Sequence, residues 1–146
     1  MDSPSVYMDV DTTATPPRIY YVTGAAIKTA DFNSGEAGSI FFDEYAWVFE
    51  PTGIVLDTTN RYVFFCDKGD QRIVRVEMGD ATKVTQISPA SVSIVSPRGL
   101  SLDASGSEIY VLSKTAPSSR LMSFFTATQT AGLNVALPGE LNAVPK

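Results

Sequence analysis

Pro51-Thr-Gly-Ile-Val-Leu-Asp57 returns, with small changes, as Pro97-Arg-Gly-Leu-Ser-Leu-Asp103. Each copy leads through a short polar turn into a second apolar stretch, Tyr62-Val-Phe-Phe-Cys66 and Ile109-Tyr-Val-Leu112. The two starts lie 46 residues apart, within the period of one propeller blade. A unit of that size cannot bury its own apolar faces and needs neighbours stacked on both sides.

Around these motifs the strands come in a fixed order. Ile54 and Leu56, like Leu100 and Leu102, alternate with residues that point to the opposite face. Asp57 and Asp103 close their strands, and the turns behind them hold Asn60 and Gly106, residues that tolerate a positive φ. The second strands are apolar on both faces, which belongs to the middle of a covered sheet. Third strands follow at Ile73-Val-Arg-Val76 and Leu121-Met-Ser-Phe124, and fourth strands at Val84-Thr-Gln-Ile87 and Leu133-Asn-Val-Ala-Leu137.

The chain start, with Tyr7-Met-Asp-Val10 and Ile19-Tyr-Tyr-Val22, fits the same pattern as a third and fourth strand, aligning Asp9 with Arg75 and Ser123. The predicted organisation is all-β, with blades of four antiparallel strands in a partial propeller. Residues 1–23 form half a blade and 24–50 an inter-blade excursion. Residues 51–88 and 97–137 are whole blades, and 138–146 are a tail or the start of the next blade. Propellers have typically about 4–8 blades, so two and a half do not close. The expectation is a segment of a longer propeller or a subunit that assembles with copies, in either case with open blade edges that invite self-association.

Composition narrows the function. A hydrophobic content of 44% fits a packed core. With 11 basic and 16 acidic residues the net charge is -5, which disfavours a nucleic-acid partner. No apolar run reaches the roughly 18–20 residues of a membrane span. The absence of histidine removes the commonest general base and the commonest transition-metal ligand. A single cysteine, Cys66, forms no internal disulfide.

The motifs resemble the NHL-repeat family of β-propellers. The resemblance rests on Pro51, Gly53, Ile54, Leu56, Asp57, Asp67 and Arg72-Ile73 in one repeat. In the next it rests on Pro97, Gly99, Leu100, Leu102, Asp103, Tyr110-Val111 and Arg120-Leu121, with Ser113 standing where Asp67 does. It covers roughly residues 5–137. It implies a propeller acting as a binding platform for another protein; a related propeller group contains metal-dependent hydrolases and lyases, so a calcium-dependent enzyme is the alternative.

Asp67 and Arg72 are read as a structural pair holding the turn between second and third strands by a charge-assisted hydrogen bond. Cys66, in an apolar strand, is read as a small hydrophobe instead of a nucleophile. Asp31, Glu36, Asp43 and Glu44 lack the regular spacing of a calcium loop and are read as solvated loop charges, so no metal and no cofactor is expected. Binding falls instead to Thr52 and Arg98, which the resemblance places near the mouth of the central channel. The aromatic residues Phe42, Tyr45 and Trp47 are the second candidate surface, with a short helical turn suggested by Phe42, Tyr45 and Phe49.

Overall fold

A computed structural model describes residues 7–35, 38–43, 50–115 and 118–138. They form twelve strands and, among the described residues, no helix; none is therefore long and apolar enough to cross a membrane. The first sheet takes β1 (Met8–Asp11), β2 (Arg18–Thr23), β3 (Ala26–Asp31) and β4 (Ser39–Asp43). The second takes β5 (Pro51–Asp57), β6 (Tyr62–Asp67), β7 (Arg72–Glu77) and β8 (Asp80–Gln86). The third takes β9 (Pro97–Leu102), β10 (Glu108–Thr115), β11 (Ser118–Phe125) and β12 (Thr130–Ala136). Every sheet is an antiparallel meander with its strands in chain order, so each is one propeller blade.

The first strands converge. Contacts between sheets concentrate where β1 and β2 meet β5, and where β5 and β6 meet β9. Two apolar clusters fill the wedges between blades. Tyr20, Val22, Ile27 and Phe42 of the first blade meet Ile54, Val63, Phe65, Val74 and Val76 of the second. From the opposite face of that second blade, Phe64, Cys66 and Ile73 meet Ile109, Val111, Met122 and Phe124 of the third. Adjacent Phe64 and Phe65 thus point into different cores, and both are 0% exposed. That is why β6 is apolar at every position from Val63 to Cys66.

The two motif glycines have a specific task. Gly53 and Gly99 take φ of +66° and +71°. Pairing of β5 with β6 jumps from Thr52 to Ile54, and pairing of β9 with β10 from Arg98 to Leu100, so each glycine is the extra residue of a β-bulge. A left-handed backbone at that position suits glycine, which has no Cβ to clash. In the following turns, the positive φ falls on Gly106 as expected, but on Arg61 instead of Asn60.

The start of the chain differs from the expectation of half a blade followed by an excursion. Met8–Asp11 and Arg18–Thr23 are the first and second strands of a complete sheet, whose third and fourth strands lie within residues 24–50. Asp9 therefore belongs to a first strand, not to the third-strand position of Arg75 and Ser123. β3 was hidden because it carries one fully buried apolar residue, Ile27, among Ala, Lys and Thr. The pairing of Asp11 with Arg18 matches that of Asp57 with Tyr62, making Asp11 the strand-closing aspartate of its blade. The helical turn suggested around Phe42 is replaced at Ser39–Asp43 by β4, while residues 44–49 lie outside the described set.

Candidate functional site

The strand-closing aspartates organise the turn end of the blades. Asp57 accepts from the Asn60 amide at 2.9 Å and its side chain at 2.8 Å. Asp103 accepts from the Ser105 and Ser107 hydroxyls and, at 2.8 Å, from the Glu108 amide. The Ser105 and Glu108 bonds hold the Asp103 carboxyl down at about 2. Asp11 is buried and accepts from Thr13 and, at 2.6 Å, from Arg61 of the second blade. Burial alone would raise its pKa, but the Thr13 and Arg61 bonds outweigh that and lower it. Asp9 also bridges blades, accepting from the Leu56 amide at 2.9 Å. These carboxylates are engaged in architecture.

At the opposite end, Asp67 is wholly buried. Its Oδ1 accepts from the amides of Glu50, Gly69 and Asp70, and its Oδ2 from Arg72 Nε and Nη2, both at 3.2 Å. Arg72 also approaches Asp70 at 3.4 Å. One carboxylate thus fastens the strand entering the blade and the turn leaving β6. Cys66 beside it is fully buried, and its thiol pKa is pushed far up, chiefly by burial and further by the Asp67 charge. A thiol in that state is a poor nucleophile.

Thr52 and Arg98 occupy the same register position in successive blades, opposite Cys66 and Leu112. The Thr52 hydroxyl reaches the Pro97 carbonyl of the next blade at 3.5 Å, so it serves the contact between blades. Arg98 has no following blade in the described chain and is exposed. Phe42, expected among the contact residues, is only 9% exposed and sits 5.4 Å from the Phe65 ring. Its ring is used inside the first interface, where it is unavailable to a partner. Tyr45 and Trp47 lie outside the described residues, as do Glu36 and Glu44. Asp31 is paired with Arg18 at 3.2 Å. Among the described residues no three carboxylates or cysteines converge in metal-binding fashion.

Beside Arg98 lies a feature that the motifs did not mark. Arg98, Gly99, Leu100, Ser101, Tyr110, Leu112 and Leu121 line an open, mainly apolar hollow of about 340 Å³. Around it, Leu112, Phe125, Leu133 and Val135 are 40–45% exposed. Glu108 stands on the same face, its carboxylate held by Tyr110 at 3.0 Å and Ser123 at 2.5 Å. The signal for this face was present in the blade alignment. Leu112 aligns with Cys66 and Leu121 with Ile73, positions that are buried only because another blade follows.

Neither a protein-family model nor a curated protein matches the chain. Among solved structures it is similar to a chain in a crystal structure of a nidogen/laminin complex, at 20% identity and a TM-score of 0.67. The match covers 83% of this chain and 46% of that one, so this chain spans about half the length of its structural relative. That likeness agrees with the β-propeller architecture seen in the three sheets.

Proposed function

We propose that the chain is a non-enzymatic protein-binding module of the NHL type, docking through the open face of the third blade with Arg98 at its rim. The observation that carries this reading is the row of aliphatic and aromatic side chains left 40–45% exposed on a rigid four-stranded sheet. Such a surface binds by desolvation and shape, with rim charges setting orientation. The structural relative comes from a complex between proteins, which agrees in kind.

A photocrosslinking residue placed at Leu133 tests this directly. Protein adducts are expected from that position, reduced in Arg98→Glu, and absent from a control placed at Val84, which is exposed at 45% on a different blade. Equal labelling from both positions, or no protein adduct at Leu133, would remove the proposal.

A further inference from the structure

We propose that the cleft between the first and second blades binds a small monocarboxylate with a short apolar body, gripped by Arg61 and Arg18. Both of its walls belong to described blades, and it is separate from the docking face of the third.

The cleft arises from a difference between two wedges that are otherwise built alike. Pairing of Asp11 with Arg18 matches that of Asp57 with Tyr62, so counting along the ladders sets Tyr20 against Phe64. Their cross-strand partners, Thr29 and Arg75, are then equivalent. In the second wedge Arg75 fills this level. Its guanidinium lies 4.4 Å over the Tyr62 ring, and its Nη1 donates to the Thr126 carbonyl of the third blade at 3.4 Å. Thr29 is too short to reach across the first wedge. There an open cleft of about 310 Å³ is walled by Pro16, Arg18, Tyr20 and Asp31 on one side and by Arg61 and Met78 on the other. Thr29 Oγ1 is buried without a hydrogen-bond partner, and Tyr20 beside it is 3% exposed. Burial raises the Tyr20 phenol pKa, while the nearby Arg18 and Arg61 charges pull it back.

The walls set the charge of the ligand. Where the second wedge holds Tyr62 and Ser107, the first holds Arg18 and Arg61. Arg61 Nη1 donates to Asp11 at 2.6 Å and Thr13 at 3.3 Å, which orients the side chain. Its Nε–Nη2 edge keeps no partner among the described residues, and two parallel N–H groups on such an edge match a carboxylate. Arg18 spends Nε and Nη2 on one oxygen of Asp31, at 3.3 and 3.2 Å, and keeps Nη1. With Asp11 and Asp31 balancing the two guanidiniums, a single negative charge is admitted more readily than a phosphate dianion. Ala14, Pro16 and Met78 offer apolar area for the body of the ligand.

Titration with 3-phenylpropionate, followed by backbone amide NMR shifts, tests the site. Half-saturation at about 1 mM or below is expected, with shifts at Arg61, Met78 and Gly79 and none from the neutral 3-phenylpropionamide. Arg61→Gln should weaken binding at least about tenfold, as the loss of a charge-assisted bond does. Arg18→Gln, at a half-exposed side chain, should weaken it in the same direction and keeps the test if Arg61→Gln fails to fold. Thr29→Arg, which copies Arg75 of the second wedge, should abolish binding while the chain still melts cooperatively. No saturation up to about 10 mM would overturn the site, as would equal binding of the amide or tighter binding of inorganic phosphate. So would affinity that Arg18→Gln and Thr29→Arg leave unchanged. Shifts confined to the third blade would remove the cleft as the site and leave the docking face in place.

Discussion

Leu112 holds the register position in the third blade that Cys66 holds in the second, and the two differ in exposure by 42% against 0%. The same strand position is core in one blade and surface in the next. Truncations on the covered face of the second blade and on the open face of the third should therefore differ sharply. Phe64→Ala, in the filled wedge, is expected to cost about 3–5 kcal/mol in urea unfolding, and Leu112→Ala about 1 kcal/mol or less. Similar losses at both sites would mean that the third blade is already covered in the isolated chain.

Asp67 gathers three backbone amides and the Arg72 guanidinium onto one buried carboxylate. Asp67→Ala strips the three amides of that buried acceptor and leaves Arg72 with the half-exposed Asp70, and should destabilise by about 3–5 kcal/mol. A denaturant midpoint that hardly moves would show that water replaces the carboxylate at little cost.

Gly106 and Gly99 separate strain from crowding. Both have positive φ, near +74° and +71°, and an alanine at either pays a backbone penalty of about 1–2 kcal/mol. Around Gly99 a Cβ meets open space, but at Gly106 it runs into the Asp57 carboxylate of the neighbouring blade, which Asn60 holds in place. Gly106→Ala should be the more damaging of the two in thermal melts. The reverse order would contradict this account of the contact between blades.

Stability should fall in acid because of specific carboxylates. The folded value of Asp103, about 2, lies below the roughly 3.9 of an unfolded aspartate, so its contribution is present in full above about pH 4. That contribution is lost as the pH drops toward 2. The lowered Asp11 acts in the same direction. Unfolding midpoints measured from pH 5 down to pH 2 should decline less steeply in Asp103→Asn than in the unaltered chain. An unchanged slope would assign the acid sensitivity elsewhere.

The second and third blades were legible because their defining devices are local. A glycine that must bulge, an aspartate that must close a turn and an arginine five residues after its partner all leave marks in the chain. The first blade lacks the Pro-x-Gly mark, and its third strand, Ala26–Asp31, is built largely from small and polar residues. Its strand state comes from pairing with β2 and from Ile27 entering the shared core, which are tertiary effects. Of the candidate contact residues, Arg98 is at the surface, while Phe42 answered to the same burial force that draws any aromatic into an available wedge. The apolar strip of Leu112, Leu133 and Val135 is visible only once the blades are superposed on one another.

The radial fan of blades is most directly tested by pulsed electron–electron distances between spin labels at the turns. One pair, at Thr59 and Ala104, reports on the turns after the first strands of the second and third blades; the other, at Gly79 and Thr128, reports on the turns after their third strands. These four positions are exposed, and buried Cys66 should stay unlabelled in the folded chain. Because first strands converge and later strands diverge, the inner pair should give the clearly shorter distance. Equal distances, or a shorter outer pair, would describe flat stacked layers and contradict the propeller.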